Sequence, residues 1–195
     1  MKVMVALQNR FYQGPSGNIY SSNVCDYNFW SRYLQVFEEV VVFARVGTVD
    51  SEPDKSAANG PGVSFYRLPM YLGPWQYLKK RKELIKLASQ APDYADAFIL
   101  RVPGRLATLL WKNLREQSIP FGVEVVGHAA DSCETCGASL PLRTFLKMVL
   151  PRQLLLQCNE ASAAAYVSQH YLQKDYPPGG WSTHYSSIDL RDEDI

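Results

Sequence analysis

Residues 97–126 read AFILRVPGRLATLLWKNLREQSIPFGVEVV, two short apolar runs on either side of a leucine-rich stretch. Ala97–Val102 and Phe121–Val126 have the length and branched, aromatic content of strands, whereas Leu106, Leu109, Leu110 and Leu114 recur at helical spacing. A strand, a helix over about Arg105 to Glu116 and a second strand make a β-α-β unit, whose strands run parallel beneath the helix.

The same alternation extends in both directions. Further strands are predicted at Val3–Leu7, Val40–Val46, Val63–Leu68, Ala163–Val167 and, more weakly patterned, Ser182–Tyr185. Between the first two, Trp30, Tyr33, Leu34 and Phe37 fall at i, i+3, i+4 and i+7, with Asp26 placed to cap that helix. Pro74 opens another helix to about Ala88, with Trp75, Leu78 and Ile85 expected on its inner side and Lys79, Lys80, Arg81 and Lys82 toward solvent. Two more are expected, one within Leu140–Cys158 that Pro151 kinks or divides, and one over about Gln169–Lys174 that Pro177, Pro178, Gly179 and Gly180 stop. The polar segment from Gly47 to Gly62 reads as a surface loop. The fold expected is α/β, a doubly wound, mainly parallel Rossmann-like sheet with helices on both faces.

With 195 residues and 47% hydrophobic content, the chain can build one substantial core, so one domain over residues 1–195 is expected. Its 20 basic and 19 acidic residues leave a net charge of +1, which offers no global field for a nucleic-acid partner. No stretch has the length of a signal-peptide core or a membrane span, so a cytoplasmic location is expected. Cys25, Cys133, Cys136 and Cys158 are read as thiols rather than a disulfide framework.

In doubly wound sheets ligands gather at the carboxyl ends of strands, which directs attention to the residues that follow them. Gln13-Gly14-Pro15-Ser16-Gly17 follows the first strand, and its glycines let backbone N–H groups approach a phosphate or a sugar hydroxyl. It can equally be an ordinary turn, and it matches neither GxGxxG nor the GxxxxGK[ST] phosphate loop. His128 follows the strand ending in Val126, where an imidazole can exchange hydrogen bonds with a sugar hydroxyl or stabilise a leaving group; an ordinary polar loop residue is the alternative. Arg101 ends another strand, as a ligand clamp or as a partner for Glu124.

Cys133-Glu-Thr-Cys136 is a CxxC, but no second pair completes a four-ligand zinc site and the loop before it does not suit a redox motif. No metal site is expected. GxSxG is absent, which removes the serine-hydrolase reading. Tyr66, Tyr71, Trp75 and Tyr77 suit stacking on sugar rings and suit core packing better. Leu140–Arg152 mixes Arg143, Lys147 and Arg152 with Leu142, Phe145, Leu146 and Met148; a partly buried helix is the plainer reading and contact with an anionic bilayer the other.

The succession of these pieces resembles a known family. YADAFILRVPGRLATLLWKNLREQSIPFGVEVVGH, from Tyr94 to His128, is similar to the N-terminal domain of the large retaining GT-B glycosyltransferases, in which a strand, a leucine-rich helix, a short turn and an apolar strand lead to a histidine. PRQLLLQCNEASAAAYVSQHYLQKDYPPGGWSTHYSSIDL, from Pro151 to Leu190, resembles that family's helix, small-residue strand ending in serine, short helix and final strand. The first loop has fewer glycines than usual there, and Tyr185-Ser186-Ser187 replaces an Asn-Gly. The resemblance implies an acceptor-side domain, with Gly14 and Gly17 near the reacting sugar and His128 in contact with the donor sugar. Ser16, Arg101 and Glu124 join them as candidate substrate-binding residues, and His128 is the catalytic candidate.

The resemblance further implies a nucleotide-sugar donor held by a second, C-terminal Rossmann half, with no cofactor bound by this chain itself. That half is expected after Asp189 and is not in this sequence, so little turnover is expected of the chain alone. A glycan or lipid-linked acceptor, a nucleotide-sugar-binding partner half and a peripheral membrane contact are the partners it suggests. The alternatives are a non-catalytic carbohydrate-binding or interaction module on the same fold, and a nucleotide-binding oxidoreductase, disfavoured by the absent GxGxxG.

Overall fold

The computed structural model describes residues 1–22, 25–129 and 140–186. The fold class is α/β: among the described residues there are eight strands, mainly parallel and doubly wound, with helices on both faces in the Rossmann-like manner. The chain forms two compact units, the first from residues 1–100 and 104–120, the second from residues 101–103 and 121–195.

The first unit contains β1 (Lys2–Gln13), β2 (Ile19–Ser21), α1 (Tyr27–Leu34), β3 (Glu39–Thr48), β4 (Val63–Pro69), α2 (Gly73–Gln90), a short 3-10 turn, β5 (Ala97–Val102) as far as Leu100, and α3 (Arg105–Glu116). Its strand order is β4-β3-β1-β5, all parallel. β1 lies between two neighbours, and Val3 through Leu7 are almost wholly buried, as a strand covered on both faces requires. That apolar run marked the strand's start but not its end. β1 continues through Gln8, Asn9 and Arg10 because Phe11 is buried again and β2 pairs antiparallel with Phe11–Gln13. Pairing with β3 shifts register between Ala6 and Arg10, an irregularity that polar residues mask in the sequence.

α1 begins where the Asp26 carboxylate accepts a hydrogen bond from the Phe29 N–H at 3.3 Å. Trp30 and Tyr33 on that helix enter the core with Val3, Val5, Val40 and Val42. α2 departs from its expected orientation: Trp75, Leu78 and Ile85 are 78%, 55% and 42% exposed, and the buried residues are Leu84 and Ala88. The helix carries apolar residues on two sides, and the side bearing Leu84 and Ala88 is the one that packs. α3 buries Leu106, Ala107, Leu110, Trp111 and Leu114.

The second unit contains the end of β5, β6 (Gly122–Val125), α4 (Leu140–Glu160), β7 (Ala163–Tyr166), α5 (Tyr171–Asp175) and β8 (Trp181–His184). β6, β7 and β8 are successive parallel neighbours, and Val126 N–H donates to the Val102 carbonyl at 2.8 Å. α4 runs through Pro151 as one helix rather than two. Gly180 packs so closely that a Cβ there would lie 2.5 Å from the Ser162 carbonyl oxygen, which explains a glycine before the last strand.

Candidate functional site

In the first unit, Gly14, Ser16 and Gly17 form the turn of the β1–β2 hairpin. Gly17 N–H donates to the Gly14 carbonyl at 3.0 Å and Gly14 N–H to the Asn18 carbonyl at 2.9 Å. Gly17 has φ of +88°, a left-handed conformation that favours glycine. The inward side of this turn is met by Glu52, which the sequence did not single out: its carboxylate accepts from Ser16 N–H at 2.6 Å and lies where a Cβ on Gly14 would be. The Tyr20 hydroxyl, then the Ser16 backbone and side chain, hold Glu52 below the ordinary carboxylate range. The backbone donor expected for a ligand oxygen is thus satisfied by a protein oxygen, and a ligand at this turn would exchange with Glu52.

In the second unit, Arg101 and Glu124 are brought together. Arg101 Nη1 lies 3.3 Å from Glu124 Oε2, both side chains are 12% exposed, and the Tyr185 hydroxyl donates to the same carboxylate at 3.2 Å. Pairing satisfies much of the desolvation that two buried charges incur, and it fixes the carboxyl ends of β5 and β6. Of the two roles open to Arg101, the partnership with Glu124 is the one formed here.

His128, two residues past Val126, sits in a polar group of its own. Its Nε2 lies 3.3 Å from Asp175 Oδ2 and 3.2 Å from the Tyr176 hydroxyl, and its side chain is 24% exposed. The Tyr176 hydroxyl is placed from both directions: it accepts from Ala129 N–H at 3.3 Å, and the Tyr176 carbonyl accepts from the buried Tyr166 hydroxyl at 2.7 Å. Tyr171, 68% exposed, stands with its ring centroid 6.4 Å from the imidazole. Ser168, three positions before α5, accepts from Leu172 N–H at 2.9 Å through its hydroxyl and so ties down the short helix that carries Asp175 and leads to Tyr176. A carboxylate orients the ring and a phenol shares its hydrogen bonds, the Tyr176 hydroxyl also lying 3.4 Å from Nδ1, in a partly exposed polar group of the kind that can exchange protons or hydrogen bonds with a ligand hydroxyl. Asp175 and Tyr176 escaped the sequence reading, although both follow β7 and fall just before Pro177-Pro178.

The structure offers little other chemistry. Among the described residues no group of histidine, cysteine and acidic side chains is arranged to hold a metal. Burial pushes the Cys158 thiol up to about 12, so it is protonated and a poor nucleophile at neutral pH. The Cys133–Cys136 pair lies outside the described residues. No described helix is long and apolar enough to cross a membrane.

No family model matches the chain. Protein CapJ of Staphylococcus aureus is 30% identical over 163 residues, covering 79% of this chain and 39% of CapJ. The chain therefore spans well under half the length of that relative. Among solved structures, a UGT transferase from Siraitia grosvenorii in complex with UDP is similar over 95% of this chain and 50% of that one, at 9% identity and a TM-score of 0.45. Similarity at that level carries no argument about function.

Proposed function

We propose that this chain is the acceptor-binding part of a glycosyltransferase of polysaccharide assembly, one that moves a sugar from a nucleotide-sugar donor to a glycan or lipid-linked acceptor. The observation that carries the reading is His128, placed after β6, oriented by Asp175 and Tyr176 and 24% exposed. The motif succession from Tyr94 to Leu190 that resembles the GT-B N-terminal domain supports it. In this reading His128 contacts the reacting sugar, Asp175 and Tyr176 position the imidazole, and Arg101 and Glu124 hold the neighbouring strand ends. Donor binding, and with it turnover, requires a nucleotide-sugar-binding half.

A peripheral membrane contact belongs to the same reading, since a lipid-linked acceptor is reached at the bilayer surface. On α2, Leu72, Trp75 and Leu78 are exposed beside Lys79, Arg81 and Lys82, an apolar group rimmed by cations that suits anionic headgroups. On α4, Met148 and Val149 are exposed with Lys147 and Arg152. The former group is the better membrane candidate because it includes a tryptophan.

The experiment is a transfer assay on the chain combined with its nucleotide-sugar-binding half, comparing wild type with His128→Ala. A fall of about 100-fold in rate with the fold intact is the expected result. An unchanged rate removes His128 from the reaction.

A further inference from the structure

Arg45 on β3 is only 8% exposed, yet among the described residues no carboxylate pairs with it. Its Nη1 donates to the Tyr71 carbonyl at 2.9 Å, its Nη2 to the Gln8 carbonyl at 2.5 Å, and the Tyr71 ring covers its face at 4.4 Å. Two neutral carbonyls and an aromatic ring satisfy hydrogen bonds without cancelling charge. Its Nε is buried with no hydrogen-bond partner. Buried cations are ordinarily matched by an acidic group, because the desolvation cost of a lone charge is large.

The surroundings add charge of the same sign. Arg10 on β1 is the register partner of Arg45 across the parallel pair. Arg105 opens α3 and is tied to the same spot twice. Its backbone N–H donates to Gln8 Oε1 at 3.0 Å, and its guanidinium lies 4.3 Å over the Tyr77 ring, which packs edge-on against Tyr71. The amino end of α3 contributes a further partial positive charge. Burial, and after it the nearby Arg10 and Arg105, lower the Arg45 pKa from its ordinary value, with Tyr71 and Tyr12 acting in the other direction. Among the described residues none of these arginines is ion-paired. Arg67, nearby on β4, reaches the neutral Gln13 amide at 2.8 Å.

We propose that Arg10, Arg45 and Arg105 form a receptor for a phosphate or diphosphate group at the carboxyl-terminal halves of β1 and β3. The exposed Arg10 and Arg105 grip the anion with their planar donor forks, and the buried Arg45 supplies a fixed charge behind them. Clustered like charges destabilise the empty fold, and a multiply charged anion relieves this better than a single carboxylate. The carboxyl edge of a doubly wound sheet is also where such ligands gather. The inference stands on residues of the first unit and does not depend on sugar transfer, so either proposal can fail without the other.

The test is calorimetric titration of the full chain with inorganic pyrophosphate at fixed ionic strength. Parallel titrations use sodium acetate, and phosphatidylcholine vesicles with and without a prenyl phosphate. The expected result is binding of a phosphate probe and not of acetate, weakened about tenfold by either Arg10→Gln or Arg105→Gln. Preference for pyrophosphate marks a soluble ligand, and preference for the prenyl phosphate vesicles a lipid-borne one. Both variants change exposed side chains, and without ligand each should melt at the wild-type temperature or above it, since repulsion is relieved; a purely structural arginine would melt lower. Absence of binding to both phosphate probes, acetate binding as tight as pyrophosphate, or binding that both variants retain would overturn the proposal.

Discussion

Glu52 shows how a single side chain changes the reading of a loop. Gly14, Ser16 and Gly17 read as a ligand loop or an ordinary turn, and a carboxylate thirty-six residues downstream of Ser16 takes the Ser16 backbone N–H. Because the folded state holds Glu52 below its ordinary value of 4.5, its contribution to stability is full above about that pH and is lost as pH falls through the lower folded value. Glu52→Gln should therefore lower the melting temperature at pH 7, and its difference from wild type should vanish in strong acid; a difference independent of pH would show that the carboxylate's charge is irrelevant. His128 was singled out because ligands of doubly wound sheets gather at residues that follow strands. Its partners were not, because Asp175 and Tyr176 lie forty-seven and forty-eight positions away and meet it only through the β6–β7 pairing.

Elements were legible where one physical constraint dominates. Ala97–Val102 appears with its predicted bounds and Val40–Val46 lies within a strand only slightly longer, because interior parallel strands tolerate few polar residues, while the edge strand over Val63–Leu68 gains a single residue. Where two constraints compete, periodicity misleads. β1 outruns its apolar run because a hairpin partner pairs with its polar end. α2 has apolar residues on two sides, and only tertiary packing decides that Leu84 and Ala88 face inward while Trp75, Leu78 and Ile85 do not. Exposed apolar side chains beside Lys79, Arg81 and Lys82 are a feature to test directly. Replacing Trp75 and Leu78 together by serine should reduce sedimentation with phosphatidylglycerol-containing vesicles about tenfold or more, with little loss of stability. Equal sedimentation of the variant would assign that face another role.

At the scale of the molecule, alternation of strands and helices was enough to give the doubly wound α/β class, since a β-α-β succession has few compact solutions. The division into two units was not legible, because the boundary at Leu100 and Arg101 falls inside β5, where no change of composition marks it. The candidate residues divide with it, Gly14, Ser16 and Gly17 in the first unit and Arg101, Glu124 and His128 in the second. The chain spans 39% of the length of CapJ, and the sugar transfer proposed for it is measured with whatever protein accompanies it. The most direct measurement is gentle affinity purification of the tagged chain from its native cells, followed by assay of the recovered material for sugar transfer from labelled nucleotide sugars. A nucleotide-sugar-binding protein recovered with the chain, and transfer that neither component performs alone, is the predicted result. Recovery of the chain with no such partner, and no transfer by the recovered material, would contradict the account.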